Sequence, residues 1–148
     1  NDERKMDSYQ NCQCHTSTDF GPCPFATNVI RAAEYNSYYR TTIWTGQNLQ
    51  MTLMCIPLCD DIGIERHEDT DQFIRVEEGY ALAQMGHSKD CLNEQWELCV
   101  GDAVFVPAGI WHNIINIGNC PLKLSTVYAP PHHPHGTIHQ TKMEAMED

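Results

Sequence analysis

Basic residues are scarce in this sequence, and they form no cluster. The 148 residues contain 9 lysines and arginines against 20 aspartates and glutamates, so the formal net charge is −11 and the pI is about 5.0. A protein that binds nucleic acid usually presents a basic patch. The composition therefore predicts no nucleic-acid partner.

Long hydrophobic runs are missing too. The first 25 or so residues are polar, and no segment is typical of a signal-peptide core or a membrane span. We therefore expect a cytoplasmic protein with no membrane partner. Glycine-rich loops of the Walker or dinucleotide type are also absent, as are internal repeats, so nothing indicates a nucleotide site.

Short strands with alternating apolar residues dominate what is present, and glycine, proline and asparagine separate them. A chain of this length can bury one core. The pattern predicts an all-β barrel or sandwich with a few short helices, near residues 27–35 and after Thr141. The predicted strands are Leu49–Ile56, Gln72–Val76, Tyr80–Met85, Trp96–Val100, Ala103–Val106, His112–Ile117 and Leu122–Tyr128.

The segment from Gly101 to Asn116 is the most informative. Pro107 fixes φ at the end of an apolar strand, and Gly109 permits a backbone conformation that other residues resist. Alternation then resumes and places His112 on one face of the next strand. Upstream, Glu65 and His67 are two residues apart, so they share one side of a strand.

These residues resemble the two motifs of the cupin superfamily. The first motif matches in spacing: Gln72 precedes Gly79 where the family usually has glutamate, and His67 and Glu65 take the two histidine positions. A register with Asp69 as second ligand fails, since it would place Phe73 or Ile74 at the carboxylate position. The second motif is matched throughout, at Gly101, Pro107, Gly109, His112 and Asn116.

The resemblance implies a cupin jelly-roll (RmlC-like) barrel, a homodimer, and a metal held by Glu65, His67, Gln72 and His112. This set keeps the single negative charge of the usual three-histidine, one-carboxylate site. It suits a divalent Zn, Fe, Mn, Ni or Co ion. Gln72 either binds directly or contacts a metal-bound water, in which case the other three form a two-histidine, one-carboxylate triad. The alternative is a metal-free cupin whose ligands at positions 65 and 72 were lost.

The implied function is that of a metal-dependent isomerase, lyase or dioxygenase acting on a small oxygenated or sugar-like molecule. Glu65 and Tyr128 are the candidate catalytic residues, and Tyr128 and Asn116 are candidates for supporting the ligands. A non-catalytic module that binds a small ligand or metal is the alternative. A structural component is a third hypothesis, based on the cysteine-rich and histidine-rich ends.

The ends of the chain lie outside the motifs. We predict an N-terminal extension over 1–39, which either adds edge strands or lies across a partner subunit, and the barrel over 40–130. A His/Pro-rich tail over 131–148 follows, interpreted as an exposed loop whose histidines contact only water, and not as part of the sheet. The alternative is that these histidines supply a substrate contact, a proton shuttle or another metal ligand. The tail resembles that of small bacterial cupins labelled mannose-6-phosphate-isomerase-like. Most of the eight cysteines are expected to be free thiols. A soft-metal site at Cys12, Cys14, His15 and Cys23 is an alternative.

Overall fold

A computed structural model of the chain describes residues 18–148. Two antiparallel sheets pack against each other, and two short helices accompany them. The helices are α1 (Val29–Tyr35) and α2 (Lys142–Glu147). The strands are β1 (Arg40–Thr45), β2 (Gln50–Ile56), β3 (Asp71–Glu78), β4 (Ala81–Gly86), β5 (Glu94–Leu98), β6 (Ala103–Val106), β7 (Trp111–Asn116), β8 (Leu122–Ala129) and β9 (Ile138–His139).

The strand order is that of a jelly roll. The larger sheet runs β6-β3-β8-β2-β1-β9, and the smaller runs β5-β4-β7. The two inner faces meet in one apolar core, to which β3 contributes Ile74 and Val76, β4 contributes Ala81 and Ala83, and β7 contributes Ile114. The all-β jelly-roll prediction is confirmed.

The seven predicted strands are all present, displaced by a few residues at their ends, and both predicted helices are found. Strands β1 and β9 were not predicted. The inward positions of β1 are Arg40 and Thr42, which pair with the inward Met54 and Thr52 of β2. Because these two inward residues of β1 are polar, the apolar alternation that marks the other strands is missing from it.

The tail prediction was wrong in part. Residues Ile138 and His139 form β9 and pair with β1, and His139 is buried. The prolines of the tail stop at Pro134, so the chain beyond them is free to donate to a sheet edge. The division into 1–39, 40–130 and 131–148 stays a prediction.

One row of polar residues crosses the inner face of the larger sheet. Gln50 of β2 lies opposite Tyr128 of β8, and Tyr128 lies opposite Gln72 of β3. In the next row, Thr52 and Thr126 share a short hydrogen bond between their hydroxyls. The barrel interior is therefore polar at one end and apolar at the other.

Six of the eight cysteines lie in the described part of the chain. Cys23 is disulfide-bonded, so it offers no thiolate and the hypothesis that it ligates a soft metal was wrong. Cys12, Cys14 and His15 lie outside the described residues. The other five are free thiols, as expected: Cys55, Cys59, Cys91, Cys99 and Cys120.

Over residues 18–148, none of the helices has the length and apolar character needed to cross a membrane. The cytoplasmic location and the homodimer stay predictions.

Candidate metal centre

Backbone hydrogen bonds bring the two motifs together. The amide of Glu65 donates to the carbonyl of His112 at 3.0 Å, and the amide of His112 donates back at 2.9 Å. The amide of Gly109, whose φ is +85°, donates to the carbonyl of His67 at 2.8 Å. Residues directly opposite in an antiparallel pair point to one face, so Glu65 and His112 share a side, and His67 joins them two residues on.

The three side chains converge. One ligand atom from each of Glu65, His67 and His112 lies within 4.8 Å of the other two. Oε1 of Glu65 is 3.4 Å from Nε2 of His67 and 3.5 Å from Nε2 of His112. Imidazole nitrogens and a carboxylate oxygen are the donor types that hold divalent transition metals.

The ligand atoms of the two histidines have no hydrogen-bond partner. Nε2 of His67 and Nε2 of His112 are buried and form no hydrogen bond, and their nearby polar neighbour is the Glu65 carboxylate at 3.4 and 3.5 Å. Oε1 of Gln72 is also buried without a hydrogen bond. A buried polar atom without a partner costs free energy, so most are paired in native proteins. Nδ1 of His112 is 3.1 Å from the carbonyl of Ile110. With the proton on Nδ1, the lone pair of Nε2 is left for a ligand, as in many metal sites.

Two acidic groups here have shifted pKa values. Burial alone would raise the pKa of the Glu65 carboxyl, but the imidazoles of His112 and His67 outweigh it and hold that pKa well below its usual range. Burial, and then the negative charge of Glu65, raise the pKa of Tyr128 to about 12. At neutral pH the site therefore contains one carboxylate and one neutral phenol.

Tyr128 and Gln72 lie beside the triad on the larger sheet. They face each other across β8 and β3, and Tyr128 is 1% exposed while Gln72 is 4% exposed. The Tyr128 ring meets the His67 ring edge-on at 5.6 Å between centroids. Tyr128 therefore lies beside His67, with Gln72 next to it on the larger sheet.

The histidine tail covers this end of the barrel. The rings of His132 and His67 are 4.1 Å apart, and the ring of His133 is 5.2 Å from that of Tyr128. The prediction that these histidines contact only water was wrong, because Gln50 holds the loop. Its Oε1 accepts from the amides of His132 and His133 at 3.1 and 2.9 Å, and its Nε2 donates to the carbonyl of His133 at 2.7 Å.

Asn116 does not support the ligands. It lies at the far end of β7 from His112, about 13 Å along the strand. Its Nδ2 donates to the carbonyls of Ile56, Pro57 and Cys120, and its Oδ1 accepts from the amide of Gly118. Asn116 therefore ties together the loops at the apolar end of the barrel.

The acidic residues that follow Glu65 lie in a solvated turn. Glu68, Asp69 and Asp71 are exposed, and Oδ1 of Asp71 accepts from the amide of Ala108 at 2.9 Å. Only Glu65 turns inward. Sequence reasoning missed two residues here, Gln50 and the buried Arg40 of β1, because no apolar periodicity marks them.

Comparisons with known proteins agree with the fold. The cupin domain model matches residues 52–128. Uncharacterized protein YrkC of Bacillus subtilis (strain 168) is 51% identical over 128 residues, which are 86% of this chain and 69% of that protein.

Two solved structures are similar as well. The crystal structure of BH2720 from Bacillus halodurans is 52% identical, with a TM-score of 0.88 over 88% of this chain and 99% of that one. TT1209 from Thermus thermophilus shares the fold at 24% identity, with a TM-score of 0.60 over 71% of this chain and 96% of that one. From its motifs, its barrel and these matches, the chain belongs to the cupin family.

Proposed function

We propose that this cupin binds a divalent transition metal through Glu65, His67 and His112, with Gln72 as the fourth ligand, and that it is a metal-dependent enzyme. The observation that carries the proposal is the set of three buried, unpartnered ligand atoms on His67, His112 and Gln72. Glu65 supplies the one negative charge among them. A Zn, Fe, Mn, Ni or Co ion suits this donor set.

The bound metal would act as a Lewis acid toward two oxygens of a small molecule. The side chains around it would handle the proton and the developing charge. Glu65 carries the one negative charge, and 29% of its side chain is accessible. Because the two imidazoles hold its pKa low, it can accept a proton only after it moves away from them. Tyr128 carries a neutral phenol with a raised pKa, which can donate a hydrogen bond to an anion that forms on the bound molecule.

The walls of the site restrict the access of water. Tyr128, Gln72 and His112 are each at most 4% exposed, and the loop held by Gln50 lies over His67. Excluding water strengthens electrostatic interactions at the reacting atoms. A small oxygenated or sugar-like molecule is the substrate class we propose, with isomerase, lyase or dioxygenase chemistry. A fold does not determine the reaction.

The test is a turnover screen on protein reconstituted with each metal in turn, with and without oxygen. The panel contains 1,2-dicarbonyl compounds, hydroxy ketones and aldoses. We expect turnover that requires metal and is lost in Glu65→Ala, while Tyr128→Phe lowers kcat without changing metal content. Thermal stabilisation by a panel member without turnover would favour the alternative, a non-catalytic small-ligand module. No turnover and no stabilisation would contradict the proposal.

A further inference from the structure

Two more buried polar atoms near this site lack a hydrogen-bond partner. They are Nε of Arg40 and Nε2 of His133. The proposed ligand set accounts for the unpartnered atoms of His67, Gln72 and His112, but it does not use these two. Because such atoms are rare in native proteins, each calls for an explanation.

Arg40 points into the barrel. It lies on β1 opposite Met54 of β2 and His139 of β9, and Met54 belongs to the apolar core between the sheets. Arg40 is 6% exposed. Its Nη1 donates to Nδ1 of His139 at 3.2 Å, and its guanidinium carbon lies 5.2 Å from the centre of the Tyr39 ring.

The charge of Arg40 has no direct counter-ion in the described part of the chain. Its one hydrogen bond there goes to an imidazole nitrogen of His139, and the ion pairs of residues 18–148 do not include it. Asp148 is linked to Arg40 only indirectly, because its carboxylate binds Nε2 of His139. A guanidinium stays protonated, and burying an unpaired charge is costly.

Ring contacts link His139, the hydrogen-bond partner of Arg40, to the metal centre. From His139 the ring contacts continue to His133 at 6.5 Å, then to Tyr128 at 5.2 Å and His132 at 4.7 Å. Burial, and then the positive charge of Arg40, lower the pKa of His133 to about 3. The charge of Arg40 also acts on the pKa of Tyr128, in the lowering direction. His133 therefore contacts the Tyr128 ring directly, and both residues lie within electrostatic range of Arg40.

We propose that Arg40 and His133 bind a carboxylate of the molecule whose other oxygens would face the metal proposed at Glu65, His67 and His112. With Nη1 used by His139, Nε and Nη2 form a two-donor edge, which matches the two oxygens of a carboxylate. Neutral His133 can donate through Nε2 as a further N–H. This deepens the proposed function, on which it rests, by naming the substrate class as small oxygenated acids.

The experiment is isothermal titration calorimetry on the metal-free full chain at pH 7 and low salt, with succinate, malonate, neutral succinamide and inorganic phosphate as probes. We expect the dicarboxylates to bind and succinamide not to bind. Arg40→Gln should weaken succinate binding about tenfold or more. Arg31→Gln, which removes the same charge from the exposed face of α1, should leave it within about twofold.

A purely structural role for Arg40 predicts the opposite effects on Tm and on succinate binding. If Arg40 only anchors β9, Arg40→Gln should lower Tm as much as His139→Gln does and leave succinate binding unchanged. Our proposal expects the Tm of Arg40→Gln to stay within about 2 °C of wild type, because an uncompensated buried charge contributes little stability. It is overturned if wild type binds no carboxylate, if phosphate alone binds, or if Arg40→Gln binds succinate normally.

Omitting metal from this titration separates the two proposals. Succinate binding that depends on Arg40 in a protein that takes up no metal would retain the carboxylate site and reject the metal-dependent enzyme. Metal uptake without Arg40-dependent succinate binding would do the reverse.

Discussion

His112 and Asn116 come from one motif, lie on one face of β7 and are both buried, at 0% and 3% exposure. Their polar atoms differ in one respect. The Asn116 amide donates to three carbonyls and accepts from one amide, whereas Nε2 of His112 has no hydrogen bond. The satisfied group holds loops together, and the unsatisfied one points to a missing ligand. Position in a motif does not separate the two roles, but hydrogen bonding does.

Removing the satisfied group should have the largest effect. Asn116→Ala leaves three carbonyls without their donor, so we expect it to lower the free energy of unfolding by about 3 kcal/mol. Urea unfolding of metal-free protein, followed by circular dichroism, measures this loss. Asn119→Ala, at a neighbouring exposed position, is the control, and equal losses in the two variants would remove the structural role of Asn116.

Removing the negative charge of Glu65, which lies beside His112, should act mainly on metal affinity. Glu65→Gln should weaken metal binding about 100-fold or more, since it removes the one anionic ligand. The metal-free protein should lose no more than about 1 kcal/mol of stability, through loss of the carboxylate contacts with His67 and His112. Competition with a chelator gives the affinity. Glu68→Gln, an exposed neighbour paired with Arg66, should bind metal normally, and equal affinities in both variants would contradict the account.

Asp19 extends the comparison to a buried, satisfied carboxylate. Its oxygens accept from the amides of Gly21, Thr45 and Gly136 and from the Thr45 hydroxyl. Burial would raise the pKa of Asp19, but these hydrogen bonds lower it on balance. We expect Asp19→Asn to lower the free energy of unfolding by about 2 kcal/mol at pH 7.

The pH dependence of that loss has a definite sign. Because the folded-state pKa is depressed, the stabilisation is present above about pH 4 and is lost as pH falls through the folded pKa. Unfolding of wild type and Asp19→Asn at pH 7, 4 and 3 should therefore show a difference that shrinks toward acid. A difference that grows toward acid would reject the assignment.

Replacing Gln72 should cause the smallest change in metal affinity, and it tests whether Gln72 is a ligand. An amide oxygen is a weak, neutral ligand, so Gln72→Ala should weaken metal binding about tenfold, less than Glu65→Gln does. Gln84→Ala, on the outward side of β4, should have no effect on calorimetric metal titrations. No change in Gln72→Ala would reduce the ligands to the triad of Glu65, His67 and His112.

Much of the barrel was predictable because strands with one apolar face leave a clear pattern in the sequence. Strand β8 is an example, with Leu122, Leu124 and Tyr128 pointing inward as predicted. The approach failed at β1, whose inward side chains are Arg40 and Thr42. Polar residues that face the inside of a barrel leave no apolar periodicity in the sequence.

The candidate site, too, was predictable only in part. Motif spacing predicted that Glu65, His67 and His112 would converge. It could not predict that Gln50 would hold His132 and His133 over them, because those contacts join residues that are 82 and 83 positions apart. Nor could spacing show which buried polar atoms the fold would leave unpartnered, since this depends on the position of every neighbouring donor and acceptor.

Metal content tests the central claim most directly. Wild-type protein and the His67→Ala/His112→Ala variant, purified without a metal-affinity tag, would be compared by elemental mass spectrometry. The account predicts near-stoichiometric metal in wild type and almost none in the variant. Wild-type protein that stays metal-free even after anaerobic reconstitution would contradict it, and would show that the unpartnered atoms of His67, Gln72 and His112 do not form a metal site.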